Sequence, residues 1–298
     1  DGYDSSLIVN FPDGSTLLNI NDARVDLDNH LEEEIIPFIK EGDLDLLTFQ
    51  FSYANWAGNQ GDKNIPLHQQ DLVDSKNDFV ISRLEPKAIM PFASFVYFSH
   101  EENFYWNENN WFDHVFNKYS NLNSNLILPK PNQSYSFKEL VRKDFSKENY
   151  KALGFWKKCH KNLSPKFFSK RYSLKEMEDT YKVFIDELHK KNSIFSFIDK
   201  DKNFSLKLNI TDLNLVLEVG LLFEEIKVIE CPNEQVVADI SSEVFISLFS
   251  QLFARGTVLI NSRINFNYKL AHRFFLFFFI PYANNIGITF NELNKISM

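Results

Sequence analysis

A chain of 298 residues, 44% hydrophobic and 24% charged, has the composition of an ordinary globular protein and is long enough for one large or two medium domains with a sizeable core. Its formal net charge of -8 leaves no excess of Lys and Arg to displace counterions, which argues against a nucleic-acid backbone as the main partner, although 157–171 is locally basic. Two cysteines, Cys159 and Cys231, exclude a disulfide framework and any all-Cys zinc or iron–sulfur site within the chain.

Taken in order, the chain opens on Asp1-Gly2-Tyr3-Asp4, with no Met, no basic leader and no apolar run, and enters a strand almost at once. That start reads either as a trimmed chain or as the later part of a longer domain. No secretory leader is visible, so a reducing, cytoplasmic setting is expected. Residues 6–11 form a predicted strand, Asp13-Gly14 is a strong hairpin turn, and residues 16–20 return as a second strand that delivers Asn21 and Asp22. Leu31, Ile35, Ile36 and Ile39 recur at helical spacing, with Asp28 as N-cap and Gly42 as stop, while Pro37 weakens or kinks that helix. A strand over 44–51, a loop, a helix over 66–84 and a strand over 87–91 follow. Strands alternating with helices imply an α/β layered core, whose ligands collect at strand ends.

Residues 108–135, rich in Asn, Ser and Pro, read as a boundary, and 136–170 is basic and aromatic with weak periodicity. Ser173 and Glu176 make a capping-box pattern ahead of the apolar stripe Met177, Tyr181, Phe184, Ile185, Leu188. Residues 204–210 alternate with period two, and 214–220 and 226–230 are further strand candidates. Ser241-Ser242 caps a helix that Gly256 ends. A strand or extended link over 257–261 follows, then an apolar helix over 268–280 stopped by Pro281. The longest apolar run, 274–280, is far short of the ~20 residues that span a bilayer, so no membrane span is expected. The expected organisation is an α/β portion over 1–115, a basic helical connector over 116–192 and a small α+β lobe with apolar helices over 193–298.

Asp22, a carboxylate just after an apolar strand, suits a turn, an N-cap or a metal ligand, the turn being the commoner use. His100 follows a strand end in Ser99-His100-Glu101-Glu102-Asn103. Its two carboxylates either orient the imidazole or form a solvated acidic turn. The loop Ser52-Tyr53-Ala54-Asn55-Trp56-Ala57-Gly58-Asn59 suits a sugar or nucleotide-sugar ligand, or else packs its Trp as an ordinary loop. His30, His68, His114 and His189 fall on predicted helices or their edges and carry little weight as metal ligands. Cys159-His160 lacks the Rieske spacing. No P-loop, dinucleotide fingerprint or Gly-x-Ser-x-Gly elbow is present.

The stretches Leu17-Leu18-Asn19-Ile20-Asn21-Asp22-Ala23, Asp45-Leu46-Leu47-Thr48-Phe49-Gln50-Phe51-Ser52-Tyr53-Ala54 and Pro86-Lys87-Ala88-Ile89-Met90-Pro91-Phe92-Ala93-Ser94-Phe95, running on to His100, resemble the metallo-β-lactamase-fold superfamily. Within it they are most similar to the branch of CMP-N-acetylneuraminate hydroxylase and its bacterial relatives. The resemblance covers about residues 5–110 and, more weakly, 200–270. It implies part of an αββα sandwich with a divalent metal, zinc or iron, at one sheet edge. Asp22 would match the metal-bridging aspartate, and His100 the last metal-binding histidine. Other branches place that histidine nearer Pro91, where Phe92 and Ala93 stand. The family's His-x-His-x-Asp-His signature is absent, so an upstream segment supplies it or the site is lost. The implied function is a metal-dependent hydrolase acting on a sugar-like or nucleotide-sugar substrate. The alternatives are an iron-dependent oxygenase related to the hydroxylase, and a non-catalytic binding or assembly protein. In the last, the Phe-rich C-terminal helices would contact a lipid or a protein partner.

Overall fold

The computed structural model describes residues 5–21, 23–25, 29–39, 43–52, 56, 58–108, 111–196 and 204–291. The fold is mixed α/β, with two five-stranded sheets. The chain divides into two units. The first holds Asp1–Ala54, Lys63–Phe98 and Phe104–Ser164, and the second Asn55–Asp62, Ser99–Asn103 and Pro165–Met298. The segment expected as a connector, 116–192, is therefore shared between them.

In the first unit β1 (Leu7–Asn10) and β2 (Thr16–Asn21) form the expected hairpin around Asp13-Gly14. Then β3 (Leu46–Gln50), β4 (Ala88–Ala93) and β5 (Asn125–Leu126) add in parallel, giving the order β1-β2-β3-β4-β5. In-register rows run across the sheet, Leu18 beside Leu47, Leu47 beside Ile89 and Ile89 beside Leu126, all buried. Every residue of β3 is buried, as parallel strands covered on both faces require. One face packs on α1 (Asn64–Leu84), α2 (Trp111–Tyr119) and α4 (Ser146–Lys161) through Val80, Ile81, Val115, Tyr119, Ala152 and Leu153. The other face closes on α3 (Phe137–Arg142) through Leu46, Ala88, Leu140 and Phe145.

Two expectations change here. The helix expected around Pro37 is a short π-turn, Leu31–Ile35, followed by a 3₁₀ turn, Ile36–Phe38. Pro37 sits at the start of the 3₁₀ turn, where no donor is needed. Its expected cap and stop, Asp28 and Gly42, lie outside the described residues. The supposed boundary over 108–135 contains α2 and β5, because Phe112, Val115 and Tyr119 supply a buried stripe between polar neighbours.

The second sheet has the order β10-β9-β6-β7-β8. β6 (Ser205–Ile210) pairs antiparallel with β7 (Leu215–Gly220), and β7 with β8 (Lys227–Ile229). β9 (Ala238–Ile240) runs parallel to β6, and β10 (Asn265–Phe266) antiparallel to β9, so the sheet is mixed rather than purely antiparallel. Leu206, Leu208 and Ile210, the inward residues of β6, are fully buried. They share a core with α5 (Leu174–Lys191), whose Ser173/Glu176 capping box forms as expected. Among the described residues four helices, not two, complete this unit: α6 (Ser242–Ser250), α7 (Ala254–Ile260), α8 (Ala271–Phe277) and α9 (Phe279–Asn285). Gly256 stands inside α7 rather than ending α6, and the turn between them is made by Phe253 with φ +57°. Pro281 falls in the first turn of α9, where its missing N–H costs nothing, and does not end the helix. No described helix is long and apolar enough to cross a membrane.

Candidate functional site

Parallel strands expose their last carbonyls at one edge, and in the first unit that edge is the most elaborated part of the sheet. The ladders shift register between Asn19 and Asn21 and between Phe49 and Gln50. Such irregularities release backbone groups from the ladder, and here α1 takes them up. Lys76 Nζ donates to the Asn21 carbonyl (3.1 Å), Asn77 Nδ2 to that of Gln50 (2.9 Å) and Gln70 Nε2 to that of Phe51 (3.0 Å). Two of the strand ends are backbone outliers: Asn21 has φ +41°, and Ser94, just past β4, has φ +105°. Ser94 Oγ accepts from the Ser52 N–H at 3.1 Å. Non-glycine residues held in such conformations store strain, which concentrates at functional sites.

The same helix carries an acid–base pair. Gln70 Nε2 also donates to Asp74 Oδ1 (2.9 Å), and Asp74 Oδ2 lies 2.8 Å from His114 Nε2 on α2. Burial alone would raise the Asp74 carboxyl. The hydrogen bonds from His114 and Gln70, with the charges of His114 and Lys118, outweigh it and hold the group below the ordinary aspartate value. The Asp74 hydrogen bond raises the His114 imidazole above the usual histidine value, against a smaller opposing effect of burial. Lys118 Nζ, 2.7 Å from Asp78 and 3.8 Å from Asp74, completes the charge balance. Burial pushes the neighbouring Tyr119 phenol far up, so it stays neutral. Gln70 Oε1 is buried and accepts no hydrogen bond among the described residues.

The sequence-derived candidates fare differently. Asp22, the residue after β2, lies outside the described residues. His100 belongs to the second unit. Its backbone bridges to Phe167, its ring lies 5.4 Å from the Phe167 ring, and its N–H donates to Asn103 Oδ1 (3.1 Å). Burial, then the Arg263 charge, lowers its pKa against the pull of Glu243 and Glu102. Glu102 is committed elsewhere. It accepts from Arg263 Nη2 at 2.5 Å and Nε at 2.9 Å and from the hydroxyls of Ser169 and Ser241, while Glu243 takes Arg263 Nη2 at 2.6 Å. Arg263 is nearly enclosed, its side chain 10% exposed. Among the described residues neither Glu101 nor Glu102 bonds the His100 ring, so Glu102 acts as a clamp on Arg263 rather than as an orienter of the imidazole. No three His, Cys, Asp or Glu side chains gather as a metal would need, again among the described residues. A cationic guanidinium near His100 further disfavours a cation there. The described residues by themselves do not fit a metal.

The other histidines have local duties: His30 pairs with Glu34, His189 with the Leu221 carbonyl, His160 packs against Phe112, and His68 is exposed. In the 52–59 loop, Tyr53, Ala54, Asn55 and Ala57 lie outside the described residues. Trp56 Nε1 donates to the Ile264 carbonyl (3.1 Å), and Asn59 exchanges two bonds with the Phe266 backbone (2.8 and 2.7 Å). Gly58, at φ +110°, makes this possible, since a Cβ there would stand 2.7 Å from Asp62 Oδ2. Asn59, Asn209, Asp239, Asn265 and Asn267 line a polar cavity of about 240 Å³ in the second unit.

Sequence reasoning passed over Gln70, Asp74, Lys76 and Asn77. The signal was the polarity of α1 itself. Gln70, Asp74 and Asn77 recur at spacings of four and three, which is the inward stripe, where an ordinary helix carries Leu or Ile. A comparison with protein-family models, curated proteins and solved structures returns no match.

Proposed function

We propose that the first unit is the scaffold of a hydrolase of the metallo-β-lactamase type, acting on a sugar-like or nucleotide-linked substrate at the carboxyl edge of its sheet. One observation carries this reading: two strained strand ends, three side-chain-capped carbonyls and the Gln70–Asp74–His114 chain converge on one helix and one sheet edge. Parallel sheets bind ligands at that edge. His114, made more basic by its hydrogen bond to Asp74, is the proton acceptor in this reading. Gln70 holds Asp74, and Lys76 anchors the Asn21 carbonyl at the end of β2. Asp22 enters through the sequence resemblance alone, and no step is assigned to a metal, because the described residues do not assemble one.

The test is hydrolysis of a panel of sugar esters and nucleotide sugars by the chain, with zinc, iron and manganese content measured on the same sample. His114→Gln is expected to reduce turnover by about 10²-fold or more, the usual contribution of a general base. A wild-type chain that binds no metal and cleaves nothing overturns the reading.

A second reading, a non-catalytic binding protein, is supported by the amide-lined polar cavity of the second unit. It predicts saturable binding of a nucleotide sugar without turnover.

A further inference from the structure

A cavity of about 530 Å³ in the second unit lies between α5, the turn joining α6 to α7, and α9. That is within the ~300–1,000 Å³ of small-molecule sites. Leu188, Phe249 and Phe278, all buried in the core, form its floor, and Phe184 and Val183 of α5 form a wall. Into this apolar space α7 brings one cation, Arg255. Its guanidinium lies 4.1 Å from the centre of the Tyr282 ring, an arrangement that fixes the plane of the fork. Arg255 Nε is buried and has no hydrogen-bond partner, and the side chain makes no ion pair, among the described residues. The two carboxylates at the rim are already taken: Asp179 by Lys175 at 2.7 Å and Glu187 by Lys190 at 3.0 Å. Lys191, also at the rim, has no ion-pair partner among the described residues. The cavity is thus apolar in its walls and cationic in its free charge.

We propose that this cavity binds a long-chain carboxylic acid, its tail along Phe184, Phe249 and Phe278 and its carboxylate on Arg255. A carboxylate matches the planar fork of a guanidinium in a way no hydroxyl does, and Arg255 is the cation that lines this cavity from α7. The aromatic and leucine walls offer a tail the dispersion contacts and water exclusion that a polar ligand would not use. The site lies wholly in the second unit and does not depend on the reading of His114 and Asp74.

The experiment is calorimetric titration of the whole chain with decanoate, dodecanoate and tetradecanoate below their micelle concentrations, and with dodecanol. The expected result is one saturable site. Affinity should rise by roughly fourfold per added methylene, the fold-change that burial of one CH₂ gives. Dodecanol should bind roughly tenfold or more weakly than dodecanoate, the loss expected for a charge-assisted bond. Arg255→Gln should abolish the difference between acid and alcohol, and Arg255→Lys should restore part of it. Circular dichroism shows whether each variant is folded; should Arg255→Gln not fold, the acid–alcohol comparison on the wild-type chain decides. Equal binding of dodecanoate and dodecanol, no dependence on chain length, no saturable binding, or displacement only by an acidic amphipathic peptide would each overturn the proposal.

Discussion

At the scale of single residues, Asp74 and His114 form a hydrogen-bonded pair that makes stability depend on pH. His114 titrates above its ordinary 6.5 in the folded chain, so its contribution to stability is fully present below 6.5 and is lost as pH rises through the raised value. Asp74 titrates below its ordinary 3.8, so its contribution is present above 3.8 and is lost as pH falls through the depressed value. The pair therefore stabilises most between these limits. His114 is 39% exposed, and solvent screening keeps the gain below about 1 kcal/mol. Asp74→Asn should lower the His114 pKa, read from its ring proton shifts by NMR. It should also narrow the stability gap to wild type as pH rises past the histidine range. An unchanged His114 titration would show that the hydrogen bond does not form in solution.

Among the elements, α1 and α5 show two ways to secure a helix. α5 begins with a complete capping box, Ser173 and Glu176 each satisfying the other's backbone N–H, and ends in His189-Lys190-Lys191, cations that complement the helix dipole. α1 has no side-chain cap at Lys63 and keeps a polar stripe inward, so its position depends on the Asn21, Gln50 and Phe51 carbonyls it satisfies. Ser173→Ala should cost about 1 kcal/mol of stability, the usual value of such a cap, measured by urea denaturation with the slope unchanged. The period of α5 is plain in its residues because Met177, Tyr181, Ile185 and Leu188 are all apolar and all buried. The inward face of α1 is hidden to the same reading because polar side chains replace hydrophobic ones there.

For the whole molecule, the chain order and the units disagree: residues 55–62 and 99–103 belong with 165–298. Their contributions are specific. Glu102 closes the clamp on Arg263, Asn59 pins the Phe266 backbone and Trp56 the Ile264 carbonyl. A fragment of 165–298 alone would keep its sheet and helices but leave Arg263 without Glu102, and a buried charge that loses a partner is destabilising. We expect that fragment to melt at a lower temperature than the same unit in the intact chain. Thermal unfolding followed by the near-ultraviolet signal of the aromatic residues checks it. Equal melting temperatures would mean that the two short segments contribute nothing.

Much of the fold was legible because it rests on local physics. Asp13-Gly14 specifies a hairpin, alternation specifies β6, and Ser173/Glu176 specifies a helix start, each from residues adjacent in the chain. The breakers were ambiguous. Gly256 and Pro281 read as helix stops, but a glycine is tolerated when packing holds the helix, and a proline is harmless in a first turn. The candidate site was less legible still. The residues alone pointed to strand ends as the place of chemistry, and named Asn21-Asp22 and His100. That Gln70, Asp74 and His114 form one hydrogen-bonded chain, that Glu102 serves Arg263, and that Arg255 lies over Tyr282 in an apolar cavity were decided only by tertiary structure. The Asp74–His114 and Glu102–Arg263 contacts join residues 40 and 161 positions apart, and the cavity draws its lining from α5, α6, α7 and α9. Local sequence sets which conformations a segment prefers; which side chains meet depends on how the packed segments bring distant residues into range.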